Sequence, residues 1–208
     1  FLELDPEKLE IRSTYYIGND AADLKVNRLA VDSEYIYAAT AAGLKRVAVD
    51  SPTRHLYESW EHISATSNEY CDLCKFAGGI VAARGNRGAS NILEFILPDG
   101  TTQNIATIAG FYRLWCNDEK LLVTANAGIR IYNTSLTQLE TYGNPIIAGI
   151  QQSAAYRDAL ISGNGMLWAA HNTLAILCNK ELNTWNSYLP EGPASNMTHH
   201  VRFAGDKL

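Results

Sequence analysis

The stretch LAVDSEYIYAATAAGLKR, running from Leu29 to Arg46, holds two short apolar runs. Leu29-Ala30-Val31 comes first, Tyr35-Ile36-Tyr37-Ala38-Ala39 second, and the polar turn Asp32-Ser33-Glu34 lies between them. Short β-branched and aromatic runs bounded by turn residues read as strands. Leu29 stands seven positions before Ile36, and the same aliphatic pairing recurs: Leu73 with Ile80, Leu114 with Leu121, Leu160 with Leu167, Val201 with Leu208. The second members are 44, 41, 46 and 41 residues apart (80−36, 121−80, 167−121, 208−167). A period of roughly 40–45 residues is the length of one four-stranded propeller blade. The fold class that follows is all-β, a β-propeller of such blades, four complete and one partial at each end.

The blade units fall near residues 26–69, 70–110, 111–150 and 151–197, with partial units at 1–25 and 198–208. First strands are expected over 26–32, 70–76, 111–117, 157–163 and 198–204. Second strands are expected over 35–40, 79–84, 120–125 and 166–171. Ala38-Ala39, Ala82-Ala83 and Ala169-Ala170 recur in these second strands. Alanine is a poor strand former by itself, so its recurrence predicts close approach of neighbouring blades. Third strands are expected over 44–50, 92–97, 129–133 and 174–179, and Gly43 and Gly128 precede two of them. Fourth strands carry aromatics: Tyr57 or Trp60, Tyr142, and Trp185 with Tyr188. The best helical pattern, 150–160, lies in a connection between blades. Phe1–Asp5 reads as a third strand, Pro6-Glu7-Lys8 as a turn, and 9–17 as a fourth strand. The chain thus begins and stops inside a blade of a single array, 1–208; either the two partial ends combine into a fifth, incomplete blade, or, as the open strand edges favour, the array is a piece of a longer propeller.

Formal charge is −5, from 17 basic and 22 acidic residues. That balance argues against nucleic acid, which needs a clustered basic surface. No run of 18 apolar residues occurs, so no membrane-spanning helix is expected. The chain starts at Phe1 without Met, which suggests that an upstream segment has been removed. Of the four cysteines, Cys71 and Cys74 have C-x-x-C spacing. A zinc ribbon needs a second such pair, and residues i and i+3 of a strand point to opposite faces. Cys71, Cys74, Cys116 and Cys178 therefore read as buried or half-buried packing thiols.

The first repeat, Leu29-Ala30-Val31-Asp32 followed by Ile36 to Arg46, resembles the two-component regulator propeller repeat, roughly I-x-x-D-x-x-G-x-L-W-x-A-T-x-x-G-L-x-R. The fourth repeat keeps Gly165, Leu167, Trp168, Ala169 and Ala170 but has Asn172-Thr173-Leu174 in place of the Gly-Leu turn. The run Leu189-Pro190-Glu191-Gly192-Pro193-Ala194-Ser195-Asn196, with Val201 to Leu208, is similar to the N-terminal propeller of PorZ-like proteins of Bacteroidetes. Those are surface components of type IX secretion. The resemblance implies an exported, non-catalytic scaffold in the periplasm or on the outer-membrane surface. Its partners would be proteins of a secretion or signalling complex, or an anionic glycan. The alternative is the carbohydrate-sensing periplasmic segment of a hybrid two-component system. A propeller hydrolase or lyase acting on polysaccharide is a third class.

Candidate ligand-binding residues lie in the first strands, one position before the recurring aliphatic: Arg28, Asp72 and Arg113, with Ala159 and His200 in the other units. First strands line a propeller's channel, and arginine suits bidentate carboxylate or phosphate contacts. The expected site is Arg28, Asp72, Arg113, His199 and His200, at a locally positive mouth. The competing reading is a solvated channel wall in which Asp72 pairs with an arginine. His199 and His200 are adjacent on a strand and point oppositely, so they do not chelate together. No metal and no cofactor is expected. No G-x-S-x-G elbow is present, and the neighbouring carboxylates Asp118-Glu119 read as a solvated turn. No catalytic residue is expected.

Overall fold

The computed structural model describes residues 1–19, 22–181 and 184–188. An N-terminal antiparallel pair, β1 (Leu2–Asp5) and β2 (Glu10–Thr14), opens the chain. Asp5 Oδ1 closes its turn by accepting the Glu7 and Lys8 amides. Next come β3 (Val26–Val31), β4 (Tyr35–Thr40), β5 (Gly43–Ala48) and β6 (Glu61–His62), forming one sheet in that order. The strands β7 (Tyr70–Phe76), β8 (Gly79–Arg84), β9 (Asn91–Ile96) and β10 (Thr102–Ile108) form the next. A third holds β11 (Phe111–Cys116), β12 (Lys120–Ala125), β13 (Gly128–Asn133) and β14 (Gln138–Tyr142). A small hairpin, β15 (Ile146–Ile147) and β16 (Ile150–Gln151), precedes β17 (Tyr156–Ile161), β18 (Leu167–His171), β19 (Ala175–Glu181) and β20 (Thr184–Tyr188). β15 joins β20 in parallel and extends that last sheet to six strands.

Two expectations about elements are corrected. The 150–160 pattern is not helical: Ala148 and Gly149 take positive φ in a two-residue turn, and the segment becomes β16 and most of β17. Tyr57 is not in a strand either. Tyr57–Ser59 forms a short 3-10 turn, and β6 shrinks to two residues after Trp60. Trp60 is instead buried beside Tyr15, Ile17 and Ile36. The strands expected over 198–204 lie outside the described residues.

The described chain forms two compact units, Phe1–Gly85 with Glu94–Asn104, and Asn86–Leu93 with the chain from Ile105 on. In the first, the two faces of β4 divide between two cores. Ala38 packs with Tyr15, Ile17, Ile36, Val47 and Trp60, whereas Ala39 packs with Tyr70, Leu73, Ile80 and Ala82. Both alanines have no solvent-exposed surface, and β7 lies beside β3 and β4. A strand covered on both faces at this distance has no room for a larger side chain. In the second unit, β17 lies beside β11 and β12, and Ala169 is buried with Leu122, Ile129, Ile131, Tyr156 and Trp185. Gly128 shows how tight the turns are: at φ +140°, an added Cβ would lie 2.1 Å from the Tyr142 carbonyl oxygen.

Each first strand carries a bulge at the same place, after Val26, Tyr70, Phe111 and Tyr156. Register then sets Leu29 opposite Ala38, Leu73 opposite Ala82, Leu114 opposite Val123, and Ala159 opposite Ala169. Leu160 is therefore not the counterpart of Leu29, Leu73 and Leu114. The turn before Leu167 is one residue longer than the turn before Ile36, so Leu160 slips to the other face. It is buried there against Ala170, Trp115 and Trp168. Leu29 is half-buried at the edge of its cluster, while Leu73 and Leu114 are fully buried.

His171 ends β18 and is 1% exposed. Its Nδ1 accepts the Thr173 and Leu174 amides at 3.2 and 3.3 Å, so Nε2 carries the proton and donates to the Ser153 carbonyl at 2.8 Å. Burial lowers its pKa, the Ser153 carbonyl raises it, and Arg157 lowers it again. The folded state thus takes up a proton later than the unfolded chain. The stabilisation is complete above the unfolded value of about 6.5 and shrinks as pH falls below it, by at most roughly 1.4 kcal/mol per pH unit. Urea unfolding from pH 7.5 to 5 should show this slope, and His171→Gln should flatten it. Among the leucines, Leu114→Ala should cost about 2–5 kcal/mol and Leu29→Ala distinctly less, because only the first leaves a closed cavity. Equal losses in thermal melts would contradict this ranking.

Candidate functional site

The bulges determine what each first strand displays. An extra residue on one strand bends it and re-aims the side chains on either side. The residue immediately after the bulge is Arg28, Asp72, Arg113 and Asp158 in the four strands. The fourth counterpart is thus Asp158 and not Ala159, for the same one-residue reason that displaces Leu160. Charged residues occupy the position throughout, arginine alternating with aspartate.

In the first unit, Arg28 Nε lies 3.4 Å from Asp72 Oδ1. The Asp72 side chain has no exposed surface, and the same oxygen accepts the Leu73 amide at 3.0 Å. A buried carboxylate is costly unless a cation or hydrogen bonds compensate it, and here both do. Next to this pair, the bulge residue Asn27 donates to the Tyr70 carbonyl and to Glu69, which Lys25 also reaches at 2.9 Å. Lys25 first and Asn27 after it hold the Glu69 carboxyl below its usual pKa against the opposing effect of burial.

The opposite end of the same strands holds a cleft of about 310 Å³. Tyr37, Arg46, Glu61, Lys75, Ile80 and Pro98 are among its lining residues. Lys75 Nζ lies 2.8 Å from Asp32 Oδ2 and 5.5 Å from the centre of the Tyr37 ring. Arg46 stacks over Tyr35 at 4.6 Å and pairs with Glu61 at 2.9 Å. Burial raises the pKa of Asp32, but Lys75 and the Tyr35 and Glu34 amides outweigh it and bring it to about 2. Both cations of this cleft already hold carboxylates.

In the second unit, Asp158 is fully buried, and its Oδ1 accepts the Ala159 amide at 3.0 Å. Arg113 is half-buried on β11. The bulge residues here are Tyr112 and Arg157, and the Arg157 guanidinium lies flat over the Tyr112 ring, 4.0 Å from its centre. Of the five expected site residues, the structure joins Arg28 with Asp72. Arg113 occupies the equivalent position of another first strand, and His199 and His200 lie outside the described residues. Asp158, Tyr112 and Arg157 were missed by sequence reasoning. The one signal that points to them is the bulky residue, Tyr70, Phe111 or Tyr156, two positions before each charged one.

The chemistry on display is charge pairing and hydrogen bonding. Of the four cysteines, Cys71, Cys74 and Cys178 are buried and Cys116 is half-buried. Among the described residues, no group of three or more His, Cys, Asp or Glu side chains could hold a metal ion, and no helix is long and apolar enough to cross a membrane.

Removing the Arg28 guanidinium leaves the Asp72 carboxylate buried. Arg28→Ala should therefore cost about 1–3 kcal/mol. In a double-mutant cycle with Asp72→Ala, the two losses should be clearly less than additive. Additive losses would show that the pair does not support the fold.

No protein-family model matches the chain, and no curated protein matches it in sequence. Solved structures share its fold. The extracellular domain assigned to the hybrid two component system BT3049 of B. thetaiotaomicron matches with a TM-score of 0.63 and 11% identity, over 98% of this chain and 28% of that one. The extracellular domain assigned to the one component system BT4673 of the same organism matches with a TM-score of 0.64 and 10% identity, over 89% of this chain and 24% of that one. PorZ, a surface component of the type-IX secretion system of Porphyromonas gingivalis, matches with a TM-score of 0.58 and 15% identity, over 83% and 23%. This chain spans about a quarter of the length of each. Its all-β fold of four-stranded antiparallel sheets is thus one that known extracellular and surface domains also use.

Proposed function

We propose that the chain is a run of β-propeller blades in an exported, non-catalytic domain that serves as an interaction scaffold in the periplasm or on the cell surface. The observation that carries this reading is the content of the first strands. Each presents a charged residue at one fixed position, and the two buried carboxylates there, Asp72 and Asp158, are held by neighbouring amides, with Arg28 added at Asp72. Groups satisfied in this way stabilise and orient a surface. They are poor general acids or bases, which need a proton within a substrate's reach. The fold shared with PorZ supports a scaffold on a secretion apparatus.

A second reading, ligand sensing in a two-component system, is favoured by the match of 98% of the chain to the BT3049 extracellular domain. The two readings differ in what the domain holds. Cross-linking and affinity capture on intact cells, with the full-length protein as bait, should recover envelope proteins reproducibly. A saccharide array probed with the same protein should stay blank. A saccharide bound without any protein partner would sink the scaffold reading in favour of sensing. Turnover of a glycan, lost on substitution of a single carboxylate, would sink both.

A further inference from the structure

The cluster around Tyr112 has a chemistry that the buried charge pairs lack. Three segments of the second unit meet there. The connection between β8 and β9 pairs with the start of β11, Gly88 donating to the Phe111 carbonyl at 2.6 Å and Phe111 donating to the Ala89 carbonyl at 3.0 Å. That pairing sets Arg87 beside Tyr112, whose carbonyl accepts from Arg87 Nη1. From β17, Arg157 covers the Tyr112 ring and donates through Nε to Asn172 Oδ1 at 3.3 Å. Among the described residues, no carboxylate is ion-paired with Arg157, and its two terminal nitrogens have no hydrogen-bond acceptor. The neighbouring carboxylate, Asp158, is buried and turned to the Ala159 amide.

Arginine presents a planar fork that fits a carboxylate in two parallel hydrogen bonds. Stacking on Tyr112 and the bond to Asn172 fix the plane of the Arg157 fork in advance, so less side-chain entropy is lost when an anion docks. The shape of the rim decides what carries that anion. Residues 86–90 are all exposed, so this is a projecting rim and not a concavity. A small saccharide needs a pocket that encloses most of its surface, and Arg87, Tyr112 and Arg157 line neither the 310 Å³ cleft of the first unit nor the cleft of about 510 Å³ beside Trp185 in the second. Tyr112 and Arg157 are half-buried and Arg87 is exposed, and arginine and tyrosine are the residue types that anchor protein interfaces.

We propose that Arg157, Tyr112 and Arg87 form a carboxylate-receiving site on which an acidic segment of a partner protein docks. This rests on the scaffold reading. The probe is a synthetic peptide of alternating Glu and Asp, with a Gln/Asn peptide as control, titrated calorimetrically into the full chain at low ionic strength. Saturable binding of the acidic peptide alone is expected. Arg157→Gln should weaken it at least about tenfold, and Arg157→Lys should weaken it measurably, since a point charge lacks the fork. Arg46→Gln, a change of a cation in the other unit, should leave it unchanged. Arg87→Gln carries the same expectation as Arg157→Gln and serves if that variant melts too low to titrate. Parent-like binding by the glutamine variants would overturn the site, as would no saturable binding by the parent. Sodium glucuronate bound in preference to the peptide would overturn the partner chemistry. If envelope proteins are captured equally by the parent and by Arg157→Gln, this site fails while the scaffold reading stands. If neither captures any, the scaffold reading fails.

Discussion

The extra residue in each first strand is the constraint on which the displayed chemistry depends. A regular strand alternates its side chains strictly between two faces, and both faces of these strands are wanted for packing. The bulge after Val26, Tyr70, Phe111 and Tyr156 breaks the alternation once, where the strand begins. Beyond it the strand packs regularly, with Leu73 or Leu114 sealed in the core. At the bulge two neighbouring side chains escape this pattern. Asn27 reaches across to the Tyr70 carbonyl, and Arg157 reaches across to the Tyr112 ring. The following residue is charged and tied down locally. Without the bulge, these side chains would fall into the alternation, and a charge would face a packed sheet.

The second strands make the opposite demand. Ala39 and Ala82 belong to one core, and Ala38 belongs to another on the far side of the same sheet. Small side chains let the sheets approach, and the close approach in turn brings Arg28 within 3.4 Å of Asp72. Enlarging an alanine here would strain the core by overpacking. It would also part a charge pair whose carboxylate has no water to fall back on.

The second strands were the most legible elements: the expected ranges 35–40, 79–84 and 120–125 are those of β4, β8 and β12. They are mostly apolar and bounded by turns. The phase of the first strands was harder to read. Leu160 follows the spacing of the other aliphatics, but a turn longer by one residue shifts it to the opposite face, and only pairing with β18 exposes the slip. The 150–160 segment looks helical through Ala154-Ala155, yet Gly149 and tertiary pairing override that weak preference. The pairing of Arg28 with Asp72 was legible because both occupy the same position of successive repeats. Arg157 was not, since its role depends on a bulge, and a bulge is a property of two strands together.

The contrast between Arg28 and Arg157 shows where a fold of this kind can bind. At Arg28 an incoming anion competes with Asp72, and detaching the arginine would take its cation from a carboxylate with no exposed surface. The cost of stranding that charge offsets most of what a new charge-assisted hydrogen bond contributes. At Arg157 the partner is an aromatic face. A guanidinium stacked on a ring keeps its hydrogen-bonding edge open, because the attraction acts through its plane. An anion there adds to the existing contact and displaces nothing. The same residue type, one position apart in equivalent strands, thus stabilises the sheet in one case and offers an open donor edge in the other.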